Sequence, residues 1–238
     1  MAGHSKWNNI KRRKEKTDAQ KAKVFTKIGR EISVAVREGG ADPNSNGKLR
    51  DLIAKAKSNN VPNENIERLI KKAGDSDKDS YEAITYEGYG PAGVAIMVSA
   101  LTDNRNRTAG DLRHYFDKCG GNLGQNGCVS FLFAQKGIIV IENNGLDEEK
   151  LLLHCMDAGA SDINFSEDAA EIIIEPQDFP AVRRVLEEEK YIFASAQLEY
   201  IPSTFTTLGG DAKIKMEKLM DMLDDNDDVQ DYWHNWEE

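Results

Sequence analysis

Cysteine is scarce in this chain of 238 residues, with only Cys119, Cys128 and Cys155 present. The number is odd and no two stand in CxxC spacing, which argues against a disulfide framework and against a cysteine zinc site. Long apolar runs are also missing. No stretch of about 18 apolar residues occurs, so no membrane-spanning helix is expected. The opening is basic but lacks an apolar core before a cleavage site, so no secretory signal is expected. A soluble protein of a reducing, cytoplasmic compartment is the expectation. The four histidines, His4, His114, His154 and His234, show no metal-ligand spacing. No nucleophile-elbow motif marks a hydrolase and no GK[ST] follows the glycines to make a phosphate loop. The acidic run Asp224-Asp225-Asn226-Asp227-Asp228 lacks the glycine and final glutamate of an EF-hand and reads as a turn. The expectation is a protein that is not an enzyme and carries no cofactor and no metal.

What the chain has in quantity is charge, unevenly placed. The formal net charge is −10. Residues 1–75 hold 18 Lys/Arg against 9 Asp/Glu, a net of +9, and residues 76–238 hold 13 against 32, a net of −19. The first thirty residues hold 10 basic and 2 acidic side chains. Sign separation on this scale suggests a basic element for a polyanion, carried on an acidic body.

Residues 1–75 read as helical. A first helix from Thr17 to Glu38 carries Phe25, Ile28, Ile32 and Val36 along one side. At about 100° per residue, Lys16, Lys23, Lys27, Arg30 and Arg37 fall on the opposite side. Gly39-Gly40 ends this helix. A second helix over Asn46–Ser58 has the stripe Leu49, Leu52, Ile53 and Ala56. A third begins near Pro62 with Ile66, Leu69, Ile70 and Ala73. Three short helices with facing stripes predict a small bundle. A polar segment over 75–80 then separates helical from strand periodicity.

Beyond it, strands are expected at Tyr81–Glu87, Val94–Ala100 and Val129–Phe133, with a helix over Asn104–Cys119. Residues 138–201 then give strand, helix, two strands, helix and strand. That order, βαββαβ, is the ferredoxin-like split βαβ. The remainder, a strand at Thr204–Leu208, a helix at Ala212–Leu223 and a strand at Val229–His234, is too little for a domain. It is expected to return and complete the sheet of residues 81–134. The fold class is therefore α+β, an N-terminal three-helix domain followed by two α/β domains, one ferredoxin-like and inserted into the other. The boundaries expected are 1–75, 81–134 with 203–238, and 135–202.

The candidate binding residues lie mostly at the front. The segment from Gly3 to Lys14 offers His4, Lys6, Trp7, Lys11, Arg12, Arg13 and Lys14 with little to bury. Cations supply non-specific affinity for phosphates, and His4 and Trp7 can stack on an exposed base. The helix adds Lys16, Lys23, Lys27, Arg30 and Arg37. A second anion site is conceivable at Thr102–Thr108, where Thr102 or Asp103 can cap the following helix and Arg105 and Arg107 stand beside it. Plain capping with solvated arginines explains the same residues. The glycines of Gly120–Gly127 read as a wide turn.

The opening Met1-Ala2-Gly3-His4-Ser5-Lys6-Trp7, with Ile10-Lys11 and Lys14, resembles the YebC/PmpR family. That family also includes the mitochondrial translational activator of cytochrome c oxidase. Phe25-Thr26-Lys27, Gly39-Gly40-Ala41-Asp42-Pro43, Asn46, Leu49-Arg50 and Asn65-Ile66-Glu67-Arg68 resemble its first domain. Tyr86–Pro91 with Gly93-Val94, Thr102–Thr108 and Gly127–Phe133 resemble its second. Pro202 and Val229-Gln230-Asp231 with His234-Asn235 match its C-terminal region. Cys128 and Trp233 depart from the usual pattern, and neither touches the basic arm. The resemblance implies a helical domain and two α/β domains, one inserted in the other. It also implies a nucleic-acid partner, either DNA in transcriptional regulation or ribosomal RNA in a translation factor. No helix-turn-helix with a clear recognition helix is visible to decide between them.

Overall fold

The computed structural model describes Trp7, residues 18–75 and residues 81–237. The polar segment expected at 75–80 lies almost wholly outside these. The chain is α+β. It forms two compact units, one of residues 16–130 with 208–234, the other of residues 131–207 with 235–238 and Trp7. The second unit thus interrupts the first in sequence.

The first unit begins with helices α1 (Asp18–Gly39), α2 (Gly47–Ser58) and α3 (Asn63–Asp75). Their expected stripes meet. Ile28, Ile32 and Val36 of α1, Leu49, Leu52 and Ala56 of α2 and Ile66 of α3 form one buried cluster, with Phe25, Ile53, Leu69, Ile70 and Ala73 packed around it. Asn46 holds the α1–α2 turn together. Its Oδ1 accepts the Leu49 amide at 3.0 Å, and its amide nitrogen donates to the Ala35 and Gly40 carbonyls, each at 2.8 Å. One side chain therefore caps the second helix and satisfies carbonyls at the end of the first.

The unit continues with β1 (Glu82–Tyr89), β2 (Ala95–Thr102), α4 (Arg105–Lys118), β3 (Asn122–Leu123), α7 (Gly210–Asp225) and β9 (Val229–His234). The sheet order is β3-β1-β2-β9, antiparallel throughout. The C-terminal strand β9 lies beside β2, whose residues Ala95, Ile96, Met97 and Val98 are all buried. The strand expected at Val129–Phe133 is not formed. Residues Ser130–Leu132 make a 3-10 turn, and Phe133 opens the next strand. The two-residue β3 takes the place beside β1.

The second unit contains β4 (Phe133–Glu142), α5 (Glu148–Ala158), β5 (Asp162–Phe165), β6 (Ala169–Ile174), α6 (Phe179–Glu188) and β7 (Phe193–Pro202). The strand order β5-β6-β4-β7 is the ferredoxin-like arrangement. Alternation along the strands gives each face its own residues. Ile139, Ile141, Ala170, Ile172 and Ile174 pack beneath α5 and α6 with Leu151, Cys155, Val182 and Leu186. Gly137 leaves room for the Phe179 ring, which a Cβ would overlap. Ile138, Val140 and Ala169 point to the other face. Short strands β8 (Thr206–Thr207) and β10 (Trp236–Glu237) pair in parallel as a separate two-stranded sheet. Residues 135–202 carry 15 acidic and 5 basic side chains, a net of −10.

Candidate nucleic-acid interface

The expected cationic face of α1 is turned toward the chain itself. The Lys23 ammonium donates to the Asp225 carboxylate at 2.7 Å and to its carbonyl at 3.1 Å. Lys27 reaches the Asp224 carbonyl at 3.0 Å. Arg30 donates to the Leu101 carbonyl at 3.2 Å, pairs with Asp228 and lies over the Tyr81 ring at 5.3 Å. Arg37 donates to the Tyr81 carbonyl at 3.1 Å. The expectation of a solvent-facing basic helix is corrected to this extent. The apolar side of α1 builds the bundle, and the opposite side docks on the end of α7, the start of β9 and the entry to β1. Opposite sign explains the docking. The acidic run read as a turn supplies two carboxylates and two carbonyls to three helix cations, Lys23, Lys27 and Arg30.

Asp228 is the centre of that contact. Its side chain is 5% exposed. Besides Arg30 it accepts from Arg107 Nη2 at 3.0 and 2.8 Å, from the Thr108 hydroxyl at 2.7 Å and from the Thr102 hydroxyl at 3.3 Å. Burial alone would raise the pKa of this carboxyl. The hydrogen bonds from Arg107, Thr108 and Arg30 outweigh it and hold the group below the usual carboxylate range. The Arg107 guanidinium is raised in turn by its bonds to Asp228 and Asp103. Arg107 is thus committed to two carboxylates, which corrects its place as a candidate for an external anion. Arg105 remains exposed, 3.9 Å from Glu82. The α4 cap is neither Thr102 nor Asp103. Asn104 Oδ1 accepts the Arg107 amide at 3.0 Å, and Thr102 Oγ1 accepts the Asn104 amide at 2.9 Å.

The glycine-rich turn holds an anion of the chain's own. The Glu87 carboxylate, in a side chain almost wholly buried, accepts the amides of Gly127, Val129 and Ser130, each at 2.8 Å. Burial pushes its pKa up, and the three amides more than reverse the shift, leaving it lowered. Successive amides converging on one carboxylate form the kind of concavity that elsewhere takes a phosphate. Here Glu87 fills it.

Of the N-terminal candidates, His4, Lys6, Lys11, Arg12, Arg13, Lys14 and Lys16 lie outside the described residues. Trp7 is described, and its place corrects the expectation of a ring exposed for stacking. The indole is 9% exposed and packs with Ile138, Val140 and Ala169 on the sheet face that α5 and α6 leave open. Its backbone amide donates to Glu171 Oε1 at 2.7 Å. An aromatic ring of this size gains more from burial than any other side chain in the arm can.

Reading the sequence missed Glu87, Tyr81, Glu171 and the role of Asp224–Asp228. Only the last had a visible signal, a block of acid opposite in sign to α1. Among the described residues no group of three or more His, Cys, Asp or Glu could hold a metal ion, and no helix is long and apolar enough to cross a membrane.

A basic helical bundle leading two α/β regions, one of them ferredoxin-like and interrupting the other, defines an α+β class of chain. Residues 5–76 match the TACO1/YebC protein N-terminal domain, and residues 81–236 match the TACO1/YebC second and third domain. The chain belongs to the TACO1/YebC family. A probable transcriptional regulatory protein of Acetivibrio thermocellus is 56% identical over 99% of both chains. One from Ruminiclostridium cellulolyticum is 57% identical, covering 100% of this chain and 97% of that one. The crystal structure of a conserved hypothetical protein from Aquifex aeolicus matches with a TM-score of 0.83 at 43% identity, over 93% of this chain and 92% of that one.

Proposed function

We propose that this protein is a nucleic-acid-binding regulator of gene expression, most simply a DNA-binding transcriptional regulator of the cytoplasm, and that it grips phosphates with its N-terminal arm. The observation that carries this reading is the charge of the first thirty residues, 10 basic against 2 acidic, on a chain whose net charge is −10. The relatives' designation as probable transcriptional regulatory proteins supports the regulatory role. The arm supplies Lys6, Lys11, Arg12, Arg13, Lys14 and Lys16, with His4 as a stacking group and Trp7 as one only when it leaves its seat on the sheet. Lys23 extends the track. Its partner Asp225 is largely exposed, and a phosphate can replace a surface carboxylate at little cost. Lys27 and Arg37 join it where nucleic acid displaces the carbonyls they hold. Arg30 serves from behind, fixing the helix through Asp228.

A second reading is a ribosome-associated translation factor in which the arm contacts ribosomal RNA. One observation favours it. The cations on the basic side of α1 are engaged by the chain's own carboxylates and carbonyls, so this helix does not present them as a free row for reading a major groove.

Titration by fluorescence anisotropy against a DNA duplex and a structured ribosomal RNA fragment tests both. The full chain is expected to bind with a log–log salt slope of about −0.7 to −0.9 per phosphate contacted. A chain lacking residues 1–16 is expected to lose most of that affinity while its thermal transition stays in place. Equal affinity for the shortened chain would remove the arm from the interface. Tighter binding of the RNA selects the second reading.

A further inference from the structure

The face of the ferredoxin-like sheet opposite its helices is apolar and acid-bearing. Along β4 the residues turned to it are Ile138 and Val140, and along β6 they are Ala169, Glu171 and Ile173. Ala194 and Ile201 of β7 extend it. In a two-layer fold such a face is exposed unless something covers it, and exposed apolar sheet is a place for a partner. The structure shows what lies there. Trp7 seats its indole on Ile138, Val140 and Ala169, and its backbone amide is tied to Glu171 at 2.7 Å. Charge agrees with this seating. Trp7 belongs to the most basic segment of the chain, and residues 135–202 carry a net of −10.

A second point follows from the ring itself. Stacking on a base requires a free aromatic face. An indole that is 9% exposed offers none. The seat on the sheet and a stack on a base therefore exclude one another.

We propose that the open face of the β4–β6–β7 sheet is a docking site for the chain's own N-terminal arm, and that nucleic acid competes with this face for Trp7, uncovering the face when it binds. The competition rests on the arm being the nucleic-acid ligand, whereas the docking does not. While the arm is docked, only the undocked fraction of molecules binds, so the apparent affinity is reduced by that fraction. Glu171 sets the fraction as acceptor for the Trp7 amide and as one of the acidic groups beside it.

The test uses the full chain with Trp233→Phe and Trp236→Phe, which leaves Trp7 as the sole indole. Without nucleic acid its emission is expected to be blue-shifted and shielded from acrylamide. Added single-stranded oligodeoxythymidine should quench it by stacking. Glu171→Ala is expected to move the free-state emission to the red, open it to acrylamide and tighten oligonucleotide binding by roughly threefold to tenfold. Glu167→Ala, which removes the same charge from an exposed position of the same domain, should do neither. A red-shifted, quenchable Trp7 in the unaltered background would overturn the docking. Equal affinities of the Glu171 and Glu167 variants, alongside a released Trp7, would overturn the competition. If no variant binds oligonucleotide, the competition and the proposed function fall together, while the emission still reads the docking by itself.

Discussion

The two ends of the cationic side of α1 meet acid in different ways. Near its start, Lys23 and Asp225 pair with side chains 37% and 66% exposed. Two turns on, Arg30 meets Asp228 with side chains 16% and 5% exposed. On a helical wheel these cations are equivalent. Energetically they are not. The outer pair sits in water, which screens it and solvates either partner if the other leaves. The inner pair is largely removed from water, and its carboxylate is shared with the buried Thr102 and Thr108 and with the half-exposed Arg107, so each buried partner depends on the others remaining. A count of positive charges therefore overstates what is available to a ligand and understates what the fold requires.

The sharpest way to break this comparison is Asp228→Ala. It leaves the Arg30 guanidinium and the Thr108 hydroxyl facing a buried gap. A loss of about 3–5 kcal/mol of unfolding free energy is expected, read from urea denaturation. The loss should be accompanied by loosening of α1 in hydrogen exchange, because Arg30 is one of its anchors. A loss under about 1 kcal/mol would mean that the buried network is worth no more than the surface pair.

Glu87 provides an intermediate case, a buried carboxylate held by amides rather than by cations. Glu87→Gln keeps the shape but replaces an acceptor oxygen by an NH2 group facing amides. About 1–3 kcal/mol should be lost. Both Glu87 and Asp228 have lowered pKa values in the folded state. Each therefore contributes stability that is fully present above the unfolded value of about 4. That contribution is lost as pH falls through the lower folded value. Unfolding midpoints of the unaltered chain should fall steeply below about pH 4, and less steeply in the Glu87→Gln variant. Parallel pH profiles would contradict the assignment of Glu87.

Much of the architecture was legible because periodicity is local. The apolar stripes of α1–α3, the βαββαβ order and the strand at Val229–His234 all come from spacing within a dozen residues. The failures share a different cause. Val129–Phe133 has the composition of a strand, yet Glu87, about forty residues earlier, captures the amides there and bends the chain into a 3-10 turn. The cations of α1 were found, but their partners lie from about forty to about two hundred residues away, and nothing in spacing reports those distances. Trp7 looked available because its neighbours in sequence are polar. Its neighbours in space are Ile138, Val140 and Ala169.

The smallest expected effect tests the outer end of the helix. Lys23→Ala should cost less than about 1 kcal/mol of stability, since Asp225 is free to return to water. Its effect on nucleic acid should be larger than its effect on folding. Removing one phosphate contact lowers the log–log salt slope by about 0.7–0.9, which paired titrations at several salt concentrations resolve. The two readouts together discriminate. A lysine that matters only to α1 docking would shift the unfolding midpoint and leave the salt slope alone. A lysine that exchanges carboxylate for phosphate would do the reverse, and only that outcome keeps Lys23 in the interface. A large change in both would place Lys23 with Arg30, and the distinction between the two ends of the helix would disappear.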